Sequence, residues 1–233
     1  MLIGGLVIGG STPKTVVVRA RGPSLGVAGA LQNPTLTLVP AAGAAIANDD
    51  WQAAANSAQL QASGFAPADT RESAIMITLD PGAYTAIVGG VGNTTGIAIV
   101  EVFELDHPEV PLIAISTRGL VQTGDNVMIG GFIIQGSTPQ TVVVRARGPS
   151  LGVAGSMQNP TLTLVPASGE PPITNDDWQT APNAAQLTAS GFAPADPRES
   201  SILVTLAPGA YTAIVSGVGG TTGVAIVEVY AVN

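Results

Sequence analysis

Residues 10–29 read GSTPKTVVVRARGPSLGVAG, and residues 136–155 read GSTPQTVVVRARGPSLGVAG. This near-identity decides the architecture, because it makes the chain a tandem repeat of two domain-sized units. Setting Ser11 against Ser137 gives a register of 126, which one extra residue near Pro171 moves to 127 at Trp51 and Trp178. Each unit is long enough to bury its own core. Working outward, the boundaries fall at residues 1–106 for the first repeat, 107–127 for a connector and 128–233 for the second repeat.

Strands are expected where β-branched and apolar residues cluster between Gly, Pro, Asn and Asp. In the first unit these are Leu2 to Ile8, Thr15 to Arg21, Thr35 to Val39, Ala45 to Ala47, Ser73 to Leu79, Ala83 to Val88 and Gly96 to Leu105. The Ala- and Gln-rich stretch Gln52 to Ser63 has no turn dipeptide before Gly64 and reads as a short helix or helical turns. Short strands at this spacing with Gly/Pro turns predict an all-β chain of two tandem antiparallel β-sandwich domains, jelly-roll-like, each with one short helical turn. Aromatic residues are 4% of the sequence, so Val, Ile, Leu and Ala must build the core.

Composition narrows function by exclusion. The net charge is −8 and there is no basic run, so a nucleic-acid partner is not expected. There is no cysteine, which removes disulfides and thiolate chemistry. No apolar run reaches the roughly 20 residues of a membrane-spanning helix. The N-terminal MLIGGLVIGG has no basic start and aligns with MIGGFIIQG at 128–136, so it reads as a strand of the domain.

The connector carries PLIAIST at 111–117, a strand candidate with no counterpart ahead of the first unit in this sequence. One domain is therefore expected to be a strand short, leaving an unpaired edge. Strand donation by a neighbouring subunit covers such an edge in known assemblies. Leu2, Ile3, Leu6, Val7 and Ile8 are the candidate assembly strand, being apolar and extended; pairing within their own domain is the favoured reading, because consecutive strands usually pair locally.

The strings TVVVRARGPSLGVAG, NPTLTLVP, NDDW, GFAPADPRES and APGAYTAIVSGVGGTTGVAIVEVY span nearly the whole chain. They resemble domain-length β-sandwich repeats, roughly 120 residues long, of large secreted proteins of environmental bacteria. A weaker similarity links Leu162 to Tyr230 to the pre-peptidase C-terminal type of jelly-roll module of secreted hydrolases, through the NDD turn and the PGAYT strand. The resemblance implies an extracellular or cell-surface β-sandwich and no particular reaction.

Asp49, Asp50, Asp69 and Glu72 recur as Asp176, Asp177, Asp196 and Glu199. Clustered loop carboxylates of this kind supply calcium ligands in some folds, and related secreted modules bind calcium in such turns. The alternative is helix capping at Trp51 with Arg71 and Arg198 pairing the acids. Arg19, Arg21, Arg145 and Arg147 alternate along one strand face, and Glu101 and Glu228 sit mid-strand in IVEV. Structural Arg–carboxylate pairs between the sheets are expected, against a ligand-binding arginine pair.

Catalysis is not expected and no catalytic residue is assigned. His107 is the single histidine and lies in the connector, and GPSLG at Ser24 and Ser150 lacks the strand-to-helix setting of a nucleophile elbow. Asn93 opens a glycan acceptor sequon whose second-unit counterpart is Gly220. The expected function is a structural subunit of an extracellular filament or surface layer, a homopolymer joined head to tail by donor-strand exchange with itself. A non-catalytic binding or adhesion module of a larger secreted protein is the alternative.

Overall fold

The computed structural model describes residues 1–107 and 112–232. Pro108 to Pro111 of the expected connector lie outside the described residues. The chain divides into two compact units, Met1–Ile113 and Ala114–Asn233. Both are all-β with antiparallel strands.

The first unit contains β1 (Leu2–Ile8), β2 (Lys14–Arg21), β3 (Pro34–Pro40), β4 (Ile46–Asn48), α1 (Ser57–Ala62), β5 (Ser73–Leu79), β6 (Gly82–Gly90) and β7 (Ile99–Glu104). Strands β1-β6-β3-β4 form one sheet and β5-β2-β7 the other. The second unit begins with β8 (Leu112–Val121), most of which it owns. It continues with β9 (Met128–Ile134), β10 (Gln140–Arg147), β11 (Pro160–Pro166), β12 (Ile173–Asn175), α2 (Ala184–Ala189), β13 (Ser200–Leu206), β14 (Gly209–Gly217) and β15 (Gly223–Ala231). Its sheets run β9-β14-β11-β12 and β8-β15-β10-β13. Numbered within the second unit, these orders are 2-7-4-5 and 1-8-3-6, the double Greek key of a jelly roll. Among the described residues, the first unit has the same topology without a strand equivalent to β8.

The strand expected in the connector thus lies mostly in the second unit, beside β15. It pairs antiparallel with β15 from Val121 opposite Gly223 to Ala114 opposite Tyr230.

Period-two alternation sorts each strand between core and outer face. In β2, Val16, Val18 and Ala20 turn inward and pack with Leu6, Ile8, Leu36, Leu38, Ala86 and Val88 of the facing sheet. Val17 faces the opposite way, into a second apolar cluster with Trp51, Leu60 and Ala74. That cluster is the underside of a helical cover, a 3₁₀ turn at Trp51–Ala53 followed by α1. The stretch expected as a short helix therefore splits in two, and its few apolar residues seal the outer face of β5-β2-β7. Leu60 and its counterpart Leu187 are fully buried.

The candidate assembly segment is an integral strand of its own domain, as local pairing favours. β1 pairs with β6 along its whole length, from Leu2 opposite Val88 to Ile8 opposite Gly82. Leu6 and Ile8 are buried in the first core, where an apolar alternate face gains more than as a free arm.

Candidate functional site

The paired arginines sit on the outer face of the β2 and β10 sheets. The pairs expected between the two sheets therefore form within one sheet, because the inward positions are taken by Val16, Val18 and Ala20. Glu101 lies directly across from Arg19 in the β2–β7 register. Its Oε2 accepts hydrogen bonds from Arg19 Nε at 2.7 Å and Arg21 Nε at 2.8 Å. Arg19 also donates to the Phe65 carbonyl, tying the strand to the helical cover, and its guanidinium lies 4.6 Å from the Phe103 ring centre.

The second unit repeats the arrangement with two more hydrogen bonds to the carboxylate. Glu228 accepts from Arg145 Nε and Arg147 Nε, both at 2.7 Å, from Arg147 Nη2 at 3.1 Å and from the Tyr230 hydroxyl at 2.8 Å. Burial pushes the Glu228 carboxyl up, but hydrogen bonds from Arg147 and Arg145, with their charges, hold it below its ordinary value. Burial raises the Tyr230 phenol, helped by the Glu228 charge. The guanidinium fork suits such pairing, and Nε and Nη1 of Arg19 and Arg21, and all three nitrogens of Arg145 and Arg147, donate to protein partners.

The GPSLG segments form 3₁₀ turns at Pro23–Leu25 and Pro149–Leu151. Glu72, fully buried, accepts from the backbone N–H of Gly22 and Ser24, both at 2.9 Å, and from the Ser24 hydroxyl at 2.9 Å. Glu199 takes the same two backbone donors from Gly148 and Ser150. The turn requires glycine: a Cβ on Gly22 would stand 1.9 Å from the Leu31 carbonyl oxygen. The Ser24 hydroxyl is thereby occupied as a loop anchor, whereas the Ser150 hydroxyl accepts from Arg147 Nη1 and Glu199 Oε2 is buried without a hydrogen-bond partner.

Of the eight acids considered for calcium, Glu72 and Glu199 are taken up in this way. Asp69 forms a two-point pair with Arg71, and Asp196 with Arg198. Hydrogen bonds from Arg71 hold the Asp69 carboxyl below its usual range, and those from Arg198 do the same for Asp196. Burial, then the neighbouring Asp50 charge, raises Asp49; Asp176 behaves likewise beside Asp177. Among the described residues, no three metal-ligating side chains of the His, Cys, Asp or Glu type come together.

The NDD turns have a visible task at the sheet edge. Asn48 Oδ1 accepts the Ala74 N–H and Asn56 Nδ2 donates to the Met76 carbonyl, so two side chains take up backbone groups along the outer edge of β5. Asn175 and Asn183 do the same to Ser201 and Leu203 on β13. In the first unit they border an open groove of about 620 Å³ that also includes Asp49, Asp50 and Ala53 to Ala55.

No such plug protects the far edge of the same sheet in the first unit. Leu105 N–H donates to the Thr15 carbonyl across β2, so alternation turns the N–H and C=O of Val100 and Val102 to the other side. In the second unit, the equivalent groups of Val227 and Val229 face β8, opposite Thr117 and Ile115. Among the described residues of the first unit, no strand pairs with that edge of β7. The consequences are visible in burial. Ala225 and Val227 are 0% and 3% exposed, whereas Ala98 and Val100 are only half-buried. The Glu101 side chain is 22% exposed against 6% for Glu228. β15 starts at Gly223, yet β7 starts three residues later than the equivalent Gly96.

Lys14 was not singled out by sequence reasoning. It is fully buried, pairs with Glu104 at 2.8 Å and donates to the carbonyls of Asp106 and His107, fixing the chain as it leaves β7. The signal was present, because the second unit has Gln140 and Ala231 at the Lys14 and Glu104 positions. Asn93, the sequon residue, sits on the exposed turn after β6 with φ 60°, where Gly220 has φ 75°.

No protein-family model matches the chain, and no curated protein matches it.

Proposed function

We propose that the chain is a structural subunit of an extracellular filament or surface layer, assembling head to tail with chains of its own kind by strand addition at the open edge of β7. One observation carries this reading: two near-identical sandwiches differ in that β15 is paired by β8 while, among the described residues, no strand pairs with the matching edge of β7. Unpaired strand edges are covered in natural proteins, and a strand from another chain does this with main-chain hydrogen bonds. The surface opposes assembly weakly, since charged residues are 10% of the sequence. A contact between different surfaces on successive copies does not close, and so propagates. The extracellular setting rests on the resemblance to secreted repeats, as does the reading of Asn93 as a glycan site. The Arg–Glu clusters, bonded to protein partners within one sheet, support a structural role for those residues.

The second reading is a non-catalytic adhesion or binding module whose open edge is filled in cis by a preceding repeat of a longer polypeptide; the near-identity of the two repeats favours it. Electron microscopy and sedimentation of the purified chain, alone and as Val102→Pro, separate the two. Filaments or a ladder of oligomers from the parent, lost in a variant that keeps its circular dichroism spectrum, support assembly through β7. Monomers at every concentration overturn it and favour the module.

A further inference from the structure

Charge is sorted between the two sheets of each sandwich. Lys14, Arg19, Arg21, Glu101 and Glu104 lie on β2 and β7, and Arg118, Arg145, Arg147 and Glu228 on β8, β10 and β15. The strands of the other sheets, β1-β6-β3-β4 and β9-β14-β11-β12, contain no charged residue. In the second unit Leu162, Leu164, Ala213 and Val215 turn into the core, so their neighbours in sequence form the outer face. One row of that face runs Thr174, Thr163, Ile214, Ile129 across the four strands. Ile129 and Ile133 are 58% and 67% exposed, although nothing polar accompanies them on β9. Ala47, Thr37, Ile87 and Ile3 make the matching row of the first unit.

We infer that the outer face of β9-β14-β11-β12 docks on the same face of a second copy of the chain, sheet against sheet. Charge selects this occupant. Copies with a net charge of −8 repel wherever their acidic turns meet, and the acids nearest this face in sequence, Glu170 and Asp176, lie outside its strands. A basic partner is drawn to those turns instead of to a face without charge. A glycan finds no platform, because Phe132 and Tyr211, the aromatic residues of these strands, are buried. The outward Ile and Thr side chains are branched at Cβ and lose little freedom on contact. Sheets of this kind pack about 10 Å apart. From strand spacing and rise the face measures roughly 19 by 23 Å, at the small end for a specific contact, so the dimer is concentration-dependent. The contact leaves β7 untouched and goes beyond the assembly reading.

The test is sedimentation of the full chain over a concentration series, carrying Val102→Pro to take the β7 edge out of play. Dimers are expected, and added salt strengthens them by screening the repulsion between copies. Adding Ile129→Lys and Ile133→Lys weakens dimerisation about tenfold or more while the circular dichroism spectrum is kept, because both positions are exposed. The salt dependence probes the same face without any change to it. Monomers at every concentration overturn the inference. So do dimers that the lysines leave unchanged, or that salt weakens. Monomers that bind zwitterionic vesicles, and lose that binding with the lysines, assign the face to lipid and overturn it as well. Assembly of the parent chain that Val102→Pro reduces to monomers supports the β7 reading and overturns this one; Val102→Pro dimers beside a parent that never passes the dimer do the reverse.

Discussion

At the scale of single residues, the two copies of one cluster form an internal control. Glu228 has four hydrogen-bond contacts and a side chain 6% exposed, whereas Glu101 has two and is 22% exposed. Breaking a buried pair strands the arginines without a counter-charge, so Glu228→Ala is expected to cost about 3 kcal/mol in chemical denaturation. Glu101→Ala is expected to cost about 1 kcal/mol, because water reaches that edge. The pH dependence has a definite sign. Glu228 is held below its ordinary value of 4.5, so its contribution is present above that value and lost as pH falls through the lower folded one. Acid titration of thermal stability should show this loss below pH 4.5, reduced in Glu228→Gln. The arginine and glutamate types were legible in TVVVRAR and IVEV, but their face was not. Valines flank the arginines on both sides, and only the position of Val16, Val18 and Ala20 in the core shows which face remains.

At the scale of elements, most strands were readable from β-branched runs between turn residues; β1 and β5 coincide with the expected Leu2 to Ile8 and Ser73 to Leu79. The fate of β1 was not readable, because an apolar extended segment fits a free arm as well as an integral strand. Its register against β6 decides the matter. The helical cover was half-legible: Gln52 to Ser63 shows helix propensity, but that Trp51 and Leu60 seal Val17 depends on tertiary packing. The edge itself predicts a contrast between matched substitutions. Val229→Pro removes an N–H turned toward β8 and is expected to cost about 1–3 kcal/mol through the acceptor left unpaired. Val102→Pro removes one facing an unpaired edge and is expected to cost roughly 1 kcal/mol or less. Equal losses in the two variants, measured by urea unfolding, would mean that the β7 edge is already paired.

At the scale of the whole molecule, duplication makes the missing strand visible. A single sandwich with a three-stranded sheet would pass without remark; beside its near-copy, β5-β2-β7 has three strands among the described residues where the matching sheet places β8 next to β15. The Asn48 and Asn56 contacts on β5 show that one edge of this sheet is plugged by side chains, which sharpens the contrast with β7. The central claim is that this edge is open in the isolated chain and becomes paired on assembly. Residue-resolved hydrogen exchange, followed from dilute to concentrated solution, tests it most directly. The account predicts that Val227 and Val229 are protected throughout, while Val100 and Val102 exchange rapidly when dilute and become protected as the chain associates. Protection of Val100 and Val102 in the dilute monomer, or their continued rapid exchange in the assembled state, would contradict it.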